Sequence, residues 1–137
     1  MEQIGRAHLT WRRHVARGLA PHEITPKQIF LLRQLRAQKA LAPSDIATLI
    51  YADRPTVTAM IGTLERAGWV TRRRDPDNGK RVLVELTRAG RAKLDGVPEA
   101  LWRSGKTRVD PVGGLTAAER KTLTRLLGKL NAALEAL

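Results

Sequence analysis

The hydrophobic period of the chain changes abruptly at Gly68, and this restricts the possible folds more than any other feature. Before it, in "DRPTVTAMIGTLERAG", Val57, Met60, Ile61 and Leu64 recur at spacings of three and four, which is one apolar face of a helix. Asp53 is a suitable N-cap, Pro55 is tolerated in a first helical turn, and Gly68 is a natural stop. After it, in "WVTRRRDPDNGKRVLVELT", Val82, Val84 and Leu86 alternate with Leu83 and Glu85, and "WVTRRR" carries the β-branched and aromatic residues of a pairing strand. Asn78-Gly79, between the two runs, is a tight-turn dipeptide. A capped helix followed at once by a two-stranded hairpin is the prediction.

Upstream, "LAPSDIATLIYA" predicts a short helix opening at Pro43 or Ser44 and burying Ile46, Leu49 and Ile50, with "YAD" as the turn into the next helix. Two short helices joined by such a turn have the size and order of a helix-turn-helix, and the hairpin behind them is then a wing. The flanks are helical as well. Ile4, Ala7, His8, Trp11, Val15 and Leu19 form a stripe over residues 3–19, "APHEITP" interrupts it, and Thr25-Pro26 opens a second helix through "KQIFLLRQLRAQ". Thr87 caps a further helix that Gly96 and Pro98 should break, "SGKTRVDPVGG" is a loop, and Thr116 with Glu119 forms a capping box before the last helix. Leu123, Leu127, Leu130, Leu134 and Leu137 then alternate spacings of four and three, as in a helix that packs along another helix. From periodicity alone, this stripe and the Trp11 stripe fit a monomer core better than an interface, whereas the small size of the chain and their terminal location favour an interface. The fold class expected is mainly α with a small β-hairpin wing.

At 137 residues the chain makes one modest domain. Its 25 Lys and Arg against 13 Asp and Glu leave a net charge of +12, which favours a polyanionic partner: nucleic acid first, an anionic membrane surface second. There is no cysteine, so disulfides, thiolate metal sites and thiol redox sensing are excluded. No run approaches the roughly 20 apolar residues of a spanning helix, and "MEQIGRAHLTWRRHVARG" lacks a signal-peptide core. A soluble, cytoplasmic protein without membrane contact is expected.

The hairpin concentrates Arg72, Arg73, Arg74, Lys80 and Arg81 around a tight turn, where they can neutralise phosphates and insert a cation into a narrow minor groove. On the helix before it, the face opposite the apolar stripe carries Pro55, Thr56, Thr58, Ala59, Gly62 and Thr63, small groups that permit close approach to base edges. No Arg, Asn or Gln stands in the middle of that face, so specificity should lean on Arg54, the wing and DNA shape.

From "ITPKQIFLLRQL" through "LAPSDIATLIYADRPTVTAMIGTLERAGWVTRRRDPDNGKRVLVELTRAG", about half of the chain, the ordered series DRPTVT, LERAGWV, RRRDPDNG and LT-x-x-G resembles the MarR family of bacterial winged-helix regulators. The resemblance implies a homodimer with interleaved terminal helices, bound as a repressor to a pseudo-palindromic operator in double-stranded DNA. It also implies release by a small aromatic or amphipathic effector entering between the dimerisation and DNA-binding parts. On this basis residues 1–22 and 106–137 are dimerisation helices, 25–87 the winged helix-turn-helix, and 88–105 a connecting helix. Carried over by position, Ser44 meets phosphate, Thr56 and Thr58 lie in the major groove, Arg73 supports the wing and Lys80 reaches the minor groove. The chain departs from many relatives at Ala59 and Lys80, where they have arginine, and at the Gly96 to Pro98 interruption of a helix that is continuous in them. Two recognition helices of a symmetric dimer would meet half-sites about 10 base pairs apart, or a multiple of that.

Two other functions fit parts of the pattern: an architectural DNA-binding protein with little sequence preference, and a protein-interaction module. An enzyme has least support, since no nucleophile elbow, phosphate-cradling loop or zinc-protease motif occurs and no cofactor is implied. His8, His14 and His22 are not spaced to stack on one helix face, so no metal site is expected; His8 beside Trp11 could meet a ligand. Trp69 and Trp102 are expected in packing roles, and Asp75 and Asp77 in turn chemistry and ion pairs with nearby arginines.

Overall fold

Four of the α-helices start at side-chain caps that the sequence offers. The computed structural model describes residues 1–102 and 110–137. Helix α1 (Glu2–Leu19) runs into a short 3-10 turn at Ala20–His22, after which Thr25 and Gln28 form a reciprocal capping box of 3.2 and 2.9 Å that opens α2 (Pro26–Gln38). Helix α3 (Pro43–Ile50) ends on Tyr51 and is followed by α4 (Arg54–Arg66), which Asp53 caps by accepting from the Thr56 N–H at 2.8 Å. Thr87 caps α5 (Arg88–Gly96) through the Gly90 N–H at 3.0 Å, and the Thr116–Glu119 box opens α6 (Ala117–Glu135).

The hairpin is present as β2 (Val70–Arg74) and β3 (Val82–Leu86), paired antiparallel with Val70 opposite Leu86 and Arg74 opposite Val82. A third strand, β1 (Ala40–Leu41), pairs with the other edge of β3 and gives the order β1-β3-β2. Sequence reading did not find it, because two residues have no detectable period. It covers the inner edge of the wing and ties it to the end of α2. The loop from Asp75 to Arg81 holds two successive turns, with Asn78 N–H donating to the Asp75 carbonyl and Arg81 N–H to the Asn78 carbonyl. Gly79 keeps a negative φ here, so the Asn-Gly pair does not form the primed turn it usually signals; Gly68, at φ +75°, is the left-handed glycine.

Leu31, Leu32 and Leu35 of α2 lie at the centre of the core, with Ile46, Ile61 and Val84 around them from α3, α4 and β3. Trp69 and Trp102 take packing roles: Trp69 lies half-buried with the Lys93 Nζ 4.8 Å from its ring, and Trp102 is buried under the Arg33 guanidinium at 4.3 Å. The Gly96 to Pro98 break is found where expected. Helix α5 stops at Gly96, the buried Val97 is extended, and a 3-10 turn at Glu99–Leu101 brings Leu101 against Gly18 of α1. The predicted connection through 105 and the start of the last segment at 106 fall partly on residues 103–109, outside the described residues.

The two terminal stripes do not fill this core. Only Val15 and Leu19 of α1 are buried, and α6 contributes no buried residue: Leu126 and Leu134 stand about half exposed, and Leu127 and Leu130 are only partly covered. The monomer-core reading of the leucine stripe is therefore excluded. Among the described residues, no helix is long and apolar enough to cross a membrane.

Candidate nucleic-acid interface

Helix α4 divides by burial along the line its sequence draws. Val57, Ile61 and Leu64 are buried, whereas Arg54, Pro55, Thr56, Thr58, Ala59 and Thr63 are exposed on one continuous face. Gly62 lies between them, overlaid by the Arg66 guanidinium, which turns back to donate to the Thr63 hydroxyl at 3.1 Å. Thr58 Oγ1 in turn donates to the Arg54 carbonyl at 2.9 Å, and Thr63 Oγ1 to the Ala59 carbonyl at 3.0 Å.

The N-terminus of this helix is held by charge. Hydrogen bonds from the Thr56 side chain and backbone hold the Asp53 carboxyl below its ordinary value, and the helix dipole favours the anion there. A pKa lowered on folding stabilises the folded state above the unfolded carboxylate range near pH 3.9, and that contribution is lost as the pH falls through the lowered value. Thermal melts of wild type and Asp53→Ala should therefore differ at neutral pH and converge as the pH is taken from about 5 down to 2. A gap that stays constant over that range would refute the assignment of the cap as an ionised one.

The five cations of the wing do not stand free together. Arg73 Nε meets Glu85 at 2.9 Å on the paired strand, which keeps its guanidinium charged more firmly still. Arg72 meets Glu65 of α4 at 3.1 Å, and Arg81 meets Asp45 of α3 at 2.9 Å. Arg74 donates to the Gly79 carbonyl at 2.7 Å across the loop. Lys80, exposed at the loop tip, and Arg54 have no ion pair among the described residues. Asp75 and Asp77 do serve the turn, the Asp77 N–H donating to the Asp75 carboxylate at 3.0 Å, but the carboxylates that pair with the wing arginines are Glu65, Glu85 and Asp45. Those three partners were missed by sequence reading.

These pairs decide how the predicted residues come together. Ser44 is exposed in the first turn of α3, next to Asp45, whose carboxylate also accepts from the Ala42 N–H at 3.3 Å. Asp45 thus fixes the start of α3 to the wing, and Glu65 fixes the end of α4 to it. Both helices and the hairpin form one braced surface.

Behind that surface, between α1, α2 and the α3–α4 turn, lies a cavity of about 400 Å³. Trp11, Phe30, Tyr51 and Trp102 supply aromatic walls, and His8, Arg12 and Lys27 supply polar groups. Tyr51 is 85% exposed and left-handed at φ 50°, a conformation unusual for a residue with a side chain. Among the described residues, no group of three or more His, Asp or Glu side chains could hold a metal ion.

A model of the MarR family matches residues 24–82. The multiple antibiotic resistance protein MarR of Escherichia coli is 30% identical over 112 residues, 82% of this chain and 76% of that protein. The HTH-type transcriptional regulator TtmR of Methylorubrum extorquens is 31% identical over 121 residues, 86% of this chain, which spans only 58% of that regulator's length. Among solved structures, a mutant of E. coli MarR complexed with operator DNA superposes with a TM-score of 0.81 at 28% identity, covering 94% of this chain and 91% of that one. The transcriptional repressor CouR bound to a 23-mer DNA duplex superposes with a TM-score of 0.79 at 27% identity, covering 94% and 89%.

Proposed function

The chain belongs to the MarR family, and we propose that it is a sequence-specific DNA-binding repressor that works as a homodimer and is released by a small ligand. The observation that carries this reading is the exposed, small-residue face of α4 standing beside a wing that is ion-paired to both helices of the helix-turn-helix. In this reading residues 25–87 bind a pseudo-palindromic operator, 1–22 and 106–137 dimerise, and 88–105 connect the two. Ser44 and the wing arginines meet phosphates, Arg54, Pro55, Thr56, Thr58, Ala59 and Thr63 face the major groove, and Lys80 reaches the minor groove. Arg73 supports the hairpin through Glu85. An operator-binding protein acts where the operator lies, so we assign it to the cytoplasm; several of its relatives are named as transcriptional regulators or repressors, and we assign it no catalytic step.

The aromatic walls and the nearby cations of the cavity suit an aromatic carboxylate as the releasing ligand. Such a ligand must favour a conformer that binds DNA less well, and DNA must then weaken ligand binding by the same factor.

Selection of duplexes from a random pool at near-physiological salt should recover an inverted repeat with half-sites about one helical turn apart. Salicylate, titrated against protein with and without the recovered duplex, should bind more weakly in its presence. Retention of DNA without any motif would favour the architectural alternative, and equal salicylate affinity in both states would refute release by this ligand class.

A further inference from the structure

The recognition face of α4 is equipped with methyl groups and hydrogen-bond acceptors but, beyond Arg54, with almost no donors. A threonine hydroxyl has one proton to give. Thr58 gives it to the Arg54 carbonyl at 2.9 Å, and Thr63 gives it to the Ala59 carbonyl at 3.0 Å. The Thr63 oxygen also accepts from Arg66, so what it can offer outward is its methyl and one remaining lone pair. Thr56 directs its hydroxyl at the Asp53 carboxylate, and Ala59 has only a methyl to offer. The cation nearest the far end, Arg66, is folded back over Gly62.

In the major groove, guanine presents two acceptors, N7 and O6, that need donors from the protein. Buried against this face they would be left unpaired, which is costly. An A·T pair also carries two acceptors and one amino donor, but its acceptors are divided between adenine N7 and thymine O4 and it adds the thymine C5-methyl, an apolar match for Thr58, Ala59 and Thr63 that G·C lacks.

We propose that the centre of α4 selects A·T pairs by contact with thymine methyls, with Thr58 and Ala59 as the specificity-determining residues, and that any guanine in the half-site lies under Arg54. This rests on the reading that α4 occupies the major groove.

The probe is the duplex recovered by selection, remade with deoxyuridine for thymidine one position at a time, which removes only the methyl. Within the stretch covered by α4, each replacement should weaken binding by about fourfold, the factor one buried methyl is worth. Thr58→Val, which keeps a methyl and removes the hydroxyl, should retain affinity and deoxyuridine sensitivity. Thr58→Ser, which keeps the hydroxyl and removes the methyl, should lose affinity and become insensitive at one position. A selected motif whose binding is unchanged throughout the deoxyuridine series would overturn the inference and leave the repressor reading standing. So would a Thr58→Val variant that binds worse than Thr58→Ser, since the hydroxyl would then be the reader. Failure to select any motif would overturn both.

Discussion

A variant carrying Leu127→Asp and Leu130→Asp is expected to sediment as a monomer and to lose roughly 10²- to 10⁴-fold in affinity for its inverted repeat. Both leucines lie in the apolar stripe of α6, where the rest of the described chain covers them only in part and buries neither. Each leucine fully buried at an interface contributes about 1.5–3 kcal/mol, and two-fold symmetry applies every substitution twice, so two aspartates per chain outweigh the association energy of a modest interface. What is then lost at the operator is not a DNA contact but the linkage that makes the second half-site an intramolecular target. Because α6 supplies no buried residue to the helix-turn-helix core, the variant should keep its helical circular dichroism and its weak binding to a single half-site. A variant that remains dimeric, or a monomer that binds the full repeat as tightly as wild type, would refute the assignment of this face.

The second large effect is expected at Gly90. A Cβ placed there would lie 2.0 Å from the Trp69 carbonyl oxygen, 2.9 Å from its carbon and 3.0 Å from a methyl of Leu86. The obstacle is backbone, and it is held in place: the same carbonyl accepts from the Thr87 N–H at 3.1 Å, while the Thr87 hydroxyl donates to Gly68 at 2.5 Å. Relief would have to break the junction where α4, β2, β3 and α5 meet. Overpacking costs typically about 1–3 kcal/mol and more against fixed backbone, so Gly90→Ala should lower Tm by on the order of 10 °C. Gly96→Ala is the control, since nothing lies within 4 Å of its added Cβ and it stands outside the segments assigned to dimerisation. A Gly90→Ala protein melting within 2 °C or so of wild type would show that the junction yields more easily than its hydrogen bonds imply.

The elements that sequence revealed were those specified by neighbours along the chain. Thr25, Asp53, Thr87 and Thr116 all cap the helices they were expected to cap, because a cap involves residues only three apart. The two strands of the hairpin followed from alternation in "VLVEL" and the β-branched and aromatic residues of "WVTRRR", while their register, set by a loop longer than the Asn-Gly pair, did not. The break after Gly96 followed from Gly and Pro chemistry alone. The electrostatics of the interface did not follow, since Arg81 finds its partner at Asp45, 36 positions away, and no local pattern encodes that distance. Five basic residues in a hairpin look like five phosphate contacts until the fold sets Glu65, Glu85 and Asp45 beside three of them. The threonine protons were hidden for a different reason: whether a hydroxyl faces outward or back to the preceding turn is a rotamer choice.

Those ion pairs also bear on how such a protein would search a chromosome. Random DNA attracts a binder by unpaired charge, and each carboxylate paired with a wing arginine offsets part of the charge that arginine offers a phosphate. A wing that is largely satisfied by its own helices holds wrong sites loosely and leaves them quickly. Of the 25 basic side chains in the composition, only a fraction is then available to trap the molecule on the millions of sequences that are not its target.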